Sequence, residues 1–335
     1  MKAGAEQLFK SFEKLNVLII GDVMLDAYVW GKVDRISPEA PVPVLSVLRR
    51  EFRLGGAANV ALNVKALGAN PLLCSLTGND GAGKSFLELF AQAGISTEGM
   101  LESERRPTSI KTRVIGHHQQ LLRIDEESTE PCPGEETRAL LGRISAMLRE
   151  RAVSVIIFED YDKGVITPEL IRQVTGWARE RNIPVVVDPK KRNFLEYRNC
   201  TLFKPNLKEL REGLKTELDI KDPAAILRAA QTLREKLDAE LVMVTLSEAG
   251  ILITGDEGQT VIPAHVRKIN DVSGAGDTVV SVAALGLAAG LPPISFTELA
   301  NLAGGLVCEK VGVVPVDKEQ LLAEVLKYRP ALFKP

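Results

Sequence analysis

The stretch Val17-Leu-Ile-Ile-Gly-Asp22 is a short apolar run closed by a glycine and an acid. A run of that length without polar alternation is what a strand buried on both faces of a parallel sheet requires. Next along the chain, Gly56 to Leu67 carries apolar residues at helical spacing until Gly68 stops it. The alternation then recurs. Pro71 to Leu76, Val153 to Phe158, Pro184 to Asp188, Thr201 to Lys204 and Leu241 to Thr245 read as strands, and Lys84 to Ala93, Thr167 to Arg181 and Pro223 to Leu237 as helices. Strand and helix in turn predict an α/β fold: a doubly wound, mostly parallel sheet with helices on both faces.

Two regions break that rhythm. Pro41 to Arg53 and Ser109 to Asp125 show partial period-two alternation and read as antiparallel strands outside the main sheet. Arg35 to Val44 holds three prolines within six positions, which excludes helix and favours an extended edge. A small β-strand lid from about residues 31–53 and 106–125 is therefore expected on a single domain of residues 1–330. Apolar alternation from Pro41 to Leu48 on an edge invites pairing with a second copy, so a homodimer is expected.

The 335 residues carry 42 Lys and Arg against 44 Asp and Glu, a formal net charge of −2. A phosphate-backbone partner calls for a basic excess, so neither nucleic acid nor an anionic membrane surface is an expected partner. The apolar stretch from Val279 to Leu291 is interrupted by Ser281, Gly286 and Gly290 and falls short of the roughly 20 residues of a membrane span. Residues Met1 to Leu15 mix charged and apolar side chains, unlike a secretory signal, and the expected location is the cytoplasm. Cys74, Cys132, Cys200 and Cys308 stand far apart, and His117, His118 and His265 have no ligand at metal spacing, so neither a disulfide framework nor a zinc site is suggested.

Chemistry concentrates in Asp271-Val-Ser-Gly-Ala-Gly-Asp-Thr278. Gly274, Ala275 and Gly276 fall where a helix begins, so their amides and the helix dipole can form an anion hole. Asp277, in the first turn, is placed to take a proton from a hydroxyl attacking a phosphoryl group held there. The plainer alternative is an acid that only complements the helix end. A rival phosphate site is Gly78-Asn-Asp-Gly-Ala-Gly-Lys-Ser85, which has P-loop spacing after a strand, with Val155 to Asp160 as its magnesium-binding strand. Against it, Asp80 puts a carboxylate among amides that would have to converge on phosphates; Asp80 as an N-cap is the competing assignment.

The Asp271–Thr278 segment resembles the second signature of the ribokinase-like sugar kinases of the phosphofructokinase B type, and other matches follow in that family's order. Gly55-Gly-Ala-Ala-Asn59 looks like the first signature, and Asp26 ends a segment that in the family holds sugar hydroxyls. The resemblance, over residues 15 to 327, implies substrate contacts from Asp26, Gly55, Gly56 and Asn59, with Asp277 as catalytic base. Asn206-Leu-Lys-Glu209 resembles the element that orders magnesium through water, from Asn206 and Glu209. Thr245, Ser247 and Gly250 fall in the loop under ATP, and Asn301 at the adenine pocket. Potassium is implied by the resemblance alone.

Arg35 to Pro43, Arg106 to Arg113, Gln119 to Asp125, Asp160-Tyr-Asp-Lys-Gly164 and Asp188-Pro-Lys190 together resemble the branch of the family that phosphorylates heptose 7-phosphates to the 1,7-bisphosphate, on the route to ADP-heptose of lipopolysaccharide. The form expected is the stand-alone kinase, without an adenylyltransferase domain. A sugar phosphate needs cations at its far end, for which Arg106, Lys111, Arg113 and Arg123 are the candidates, against the plainer reading of a solvated strand face. Lys163 and Lys190 are candidates for the ATP phosphates. Asp162 departs from the family pattern, standing where a glycine is expected. The remaining alternatives are a kinase of another sugar on this fold and a non-catalytic sugar-binding module.

Overall fold

Strand β1 (Asn16–Gly21) sends Val17 and Ile19 into one apolar cluster and Leu18 and Ile20 into another, one on each side of a sheet. The computed structural model describes residues 2–117, 119–256 and 258–328; Met1, His118, Glu257 and residues 329–330 of the expected domain lie outside them. Helix α1 (Lys2–Ser11) precedes β1, and β2 (Val23–Ile36), β3 (Pro43–Gly56) and α2 (Ala57–Ala66) follow it. Next come β4 (Asn70–Gly78), α3 (Gly81–Gln92), β5 (Met100–Ser103), β6 (Ile110–Gly116), β7 (Gln119–Glu126), α4 (Gly134–Glu150), β8 (Val153–Glu159) and α5 (Pro168–Glu180). The chain continues through β9 (Val185–Asp188), β10 (Leu202–Phe203), α6 (Leu207–Leu214), α7 (Pro223–Leu237), β11 (Leu241–Thr245), β12 (Ile251–Gly255) and β13 (Gly258–Ile262). Helices α8 (Ala275–Ala288), α9 (Pro293–Val307) and α10 (Lys318–Tyr328) complete it.

Among the described residues the large sheet has nine strands, in the order β13, β12, β11, β10, β9, β8, β1, β4, β5. From β11 to β5 they run parallel; β12 and β13 add an antiparallel edge. Helices α1, α2, α3, α8, α9 and α10 pack on one face and α4 to α7 on the other, which is the expected doubly wound arrangement. Fully burying each Val, Leu or Ile of the central strands contributes about 1.5–3 kcal/mol.

The second sheet has the order β3, β2, β6, β7. It corrects the expected lid in three ways. Strand β2 starts at Val23, β6 starts at Ile110 and so leaves Arg106 in the preceding loop, and β2 pairs with β6 in parallel. The proline-rich stretch is the turn between β2 and β3, closed by the Ser37 amide donating to the Val42 carbonyl (2.9 Å). Pro43 opens β3, an edge strand where its missing N–H costs nothing. Alternation places Asp26 and Tyr28 on one face with Lys111, Arg113 and Arg123, and Ala27, Val29, Phe52, Leu122 and Ile124 on the other. The sheet is rooted in β1 and α2. The Asp22 carbonyl accepts from the Ala57 amide (3.0 Å), and a Cβ on Gly56 would stand 2.4 Å from that carbonyl oxygen.

The P-loop reading does not hold. Asp80 is the N-cap of α3: its carboxylate accepts from the Gly83 amide (2.7 Å), the Thr108 amide (2.8 Å) and the Thr108 hydroxyl (2.8 Å). An acid already fills the helix N-terminus that a phosphate would need, and Lys84 is exposed on the helix flank.

Candidate active site

The carboxyl ends of the central parallel strands gather the charged residues. In register, Gly21 lies beside Glu159 and Glu159 beside Asp188; Lys204 follows β10, and Asn206 bridges to Thr245 at the end of β11. In open α/β sheets this edge is where ligands bind. Lys204 and Asp188 form a buried ion pair (2.8 Å), and burial works against the Lys204 charge while the acids Asp188, Glu209 and Glu159 more than restore it.

Helix α8 delivers Asp277 to this edge. Gly274, its N-cap, has a left-handed φ of 78°, and a Cβ there would come within 2.8 Å of the Asn59 amide nitrogen, so only glycine fits. A Cβ on Gly276 would lie 3.7 Å from the Asp188 carboxylate and 3.8 Å from the Lys204 ammonium, so the helix start faces that ion pair. The Ala275 amide, one of three assigned to the anion hole, instead donates to the Val272 carbonyl (3.3 Å). Asp277 is 4% exposed; Asn59 Nδ2 donates to one carboxylate oxygen and the Tyr161 hydroxyl to the other, both at 2.7 Å. Burial pushes its proton affinity up, Asp188 adds to that, and the Asn59 and Tyr161 hydrogen bonds with the Lys204 charge pull it back only in part. A buried acid with raised proton affinity in a cleft fits a general base.

The small sheet faces this group with Asp26, which is ion-paired to Arg113. A Cβ on Gly55 would sit 2.3 Å from the Asp26 carboxylate, so Gly55 and Asp26 need one another. Arg113 and Arg53 flank the Tyr28 ring at 5.3 and 5.0 Å. Lys111 reaches Glu127 (3.0 Å) and Asp125 (3.5 Å), and Arg123 grips Asp125 at 2.9 and 3.0 Å. Arg106 lies in the loop before β6, outside the small sheet. It donates to the Lys163 carbonyl and has a second, buried guanidinium nitrogen without a partner among the described residues.

Lys163 is placed differently from its assignment to ATP. Its ammonium bonds Glu127 (2.6 Å), the same acid that holds Lys111, which puts it among the small-sheet cations. Asp162 adopts a left-handed φ of 56°, which explains why the family pattern has glycine there.

Across the cleft, Asn206 caps α6: its side chain accepts from the Glu209 amide (2.9 Å), and Glu209 accepts from the Asn206 amide (2.8 Å). The other Glu209 oxygen is ion-paired to Lys190. Ser247 (φ 51°) and Gly250 (φ 96°) shape the loop after Thr245, where a Cβ on Gly250 would collide with the Ile262 carbonyl. Asn301 donates to the Pro263 carbonyl (2.8 Å), behind that loop.

Residues not singled out beforehand complete the floor. Asp22 accepts from the amides of Tyr161 (2.9 Å), Lys163 (3.1 Å) and Val165 (3.0 Å), shaping the loop that carries Tyr161. Glu159 is fully buried with both carboxylate oxygens unpartnered among the described residues, and burial next to Asp188 and Asp277 holds it well above the usual carboxylate range. The signal that marks them is position, immediately at the carboxyl end of a buried strand.

Comparison with known proteins bears on this geometry. Residues 14–319 match the pfkB family carbohydrate kinase pattern. The chain is 41% identical over 321 residues to the bifunctional protein HldE of Trichlorobacter lovleyi, covering 96% of this chain and about 65% of that protein's length. Its fold is similar to phosphofructokinase-2 of Escherichia coli in complex with potassium (TM-score 0.78, 21% identity, 94% of this chain and 98% of that one). It is likewise similar to Arabidopsis thaliana ribokinase complexed with ribose and ATP (TM-score 0.70, 17% identity, 92% and 96%). At 21% and 17% the likeness is one of fold, and it is the match over residues 14–319 that assigns the chain to the pfkB family of carbohydrate kinases.

Proposed function

We propose that this kinase transfers the terminal phosphoryl group of ATP to the anomeric hydroxyl of D-glycero-D-manno-heptose 7-phosphate, giving the 1,7-bisphosphate for ADP-heptose and lipopolysaccharide core synthesis in the cytoplasm. The observation that carries this reading is the small-sheet face. It sets the acids Asp26, Asp125 and Glu127 among Arg113, Lys111, Arg123 and, from the loop after β8, Lys163, where an acid for sugar hydroxyls beside four cations for a phosphate suits a phosphorylated sugar better than a neutral one.

In this reading Asp26 holds ring hydroxyls, Asn59, assigned from the sequence to the substrate, instead orients the Asp277 carboxylate, and Asp277 takes the anomeric proton as that oxygen attacks in line. The start of α8 and the Lys204 ammonium stabilise the transferring group. Asn206 and Glu209 offer hard oxygen donors that suit magnesium. Their oxygens already serve the capping box and Lys190, so they act through water. Magnesium, when bound with the nucleotide, neutralises phosphate charge. Thr245, Ser247, Gly250 and Asn301 line the nucleotide side, with Lys190 near the phosphates.

The test is ADP release measured over a panel of hexose and heptose phosphates, with the Arg113→Ala variant alongside. Heptose 7-phosphate is expected to give the highest kcat/KM, and the variant to raise the sugar-phosphate KM on the order of tenfold while sparing that of ATP, the scale of one charge-assisted contact. Preference for another sugar, or equal effects on both KM values, overturns the assignment.

A further inference from the structure

Each oxygen of the buried Asp277 carboxylate already accepts a hydrogen bond, and a base must present a free lone pair to the hydroxyl it deprotonates. The two donors are not equally replaceable. Asn59 is fully buried on α2, and its own side chain is held by Asn63 Nδ2 (3.3 Å). Tyr161 lies half-buried on the loop after β8, and its ring carries the Lys190 ammonium at 5.2 Å on the nucleotide side. Burial and the neighbouring acids Asp277, Glu159 and Asp188 keep the phenol protonated, so it donates.

We propose that the Tyr161 hydroxyl is a placeholder for the acceptor hydroxyl of the sugar: it occupies one oxygen of Asp277 in the sugar-free enzyme and so keeps that base from activating water against ATP. This rests on Asp277 being the base. The arriving sugar hydroxyl displaces the phenol and donates to the vacated oxygen. Without the phenol, water takes that place; its oxygen bonds to the terminal phosphorus as the bond to the ADP oxygen breaks, and its proton passes to Asp277, giving ADP and inorganic phosphate. Tyr161 is thus a positioning residue that discriminates between sugar and solvent.

The test is Tyr161→Phe, which removes the hydroxyl and keeps the ring under Lys190, while the Tyr161 backbone remains held by Asp22. ADP release from magnesium-ATP without sugar is expected to rise on the order of tenfold, the scale of one hydrogen bond to a carboxylate, with sugar-dependent turnover in the same preparation reporting an intact site. The acid limb of kcat/KM should also move to higher pH, because the lost hydrogen bond favoured the ionised carboxylate. The other groups facing Asp277, namely Asn59, Asp188, Lys204 and Glu159, are untouched by the substitution. An unchanged sugar-independent rate overturns the proposal, as does an unchanged acid limb. Asp277→Asn is run in parallel. If it keeps turnover, the assignment of the base fails; if it is inactive while Y161F behaves as the wild type, only the placeholder role fails.

Discussion

Asp277 and Asn59 are separated by 218 positions, yet they share a hydrogen bond. Each was legible because glycines beside it mark a close approach of one chain segment to another. Lys204, Asp188 and Glu159 were not, since a charged residue after a short apolar run reads as the end of a strand and its partner is set by lateral register. The cations were legible as a group but not in their pairing: Lys163 joins Lys111 only through Glu127, on a different segment. Burial raises the Asp277 proton affinity, so the proton stays on to higher pH than on an ordinary carboxylate. As a base it must be ionised, and turnover is therefore expected to fall with decreasing pH through a point above 3.8. Asp277→Asn is expected to lower kcat at least about a hundredfold, with circular dichroism unchanged; a loss below tenfold would remove Asp277 from the chemistry.

One helix was legible to the residue, whereas α3, read from Lys84, starts at Gly81. Helix α7 runs from Pro223 to Leu237 as read, because Asp222 caps it through the Ala225 amide (2.9 Å) and Pro223 tolerates the first turn. The small sheet was only half legible: β2 pairs in parallel with β6, some eighty positions on, and nothing local announces such a partner. The hairpin of β12 and β13 went unread. Helix α3 carries the clearest prediction at this scale. With Asp80 satisfying its N-terminus and Lys84 exposed, Lys84→Ala is expected to keep sugar-dependent turnover within about twofold of the wild type, as surface substitutions away from special features do. Loss of nearly all turnover would restore a phosphate-binding role to that loop.

The whole molecule has a polar small-sheet face toward the cleft and an apolar one away from it, where Phe52 is 45% and Leu122 55% exposed. Apolar side chains grouped on a solvent-facing sheet suit an interface, and we propose that the homodimer expected from the Pro41–Leu48 edge also uses this face. Sedimentation is expected to give twice the chain mass, and Phe52→Glu with Leu122→Glu the chain mass; a wild-type monomer at micromolar concentration refutes the dimer. The β2–β3 hairpin of that sheet leaves the main body at Asp22 and returns at Gly56, and these two crossings are stitched together by the Asp22 carbonyl and the Ala57 amide. The same Asp22 anchors, through its carboxylate, the loop bearing Tyr161. One aspartate therefore joins, through its carbonyl, the junction of the small sheet with α2 and, through its carboxylate, the loop whose phenol rests on Asp277.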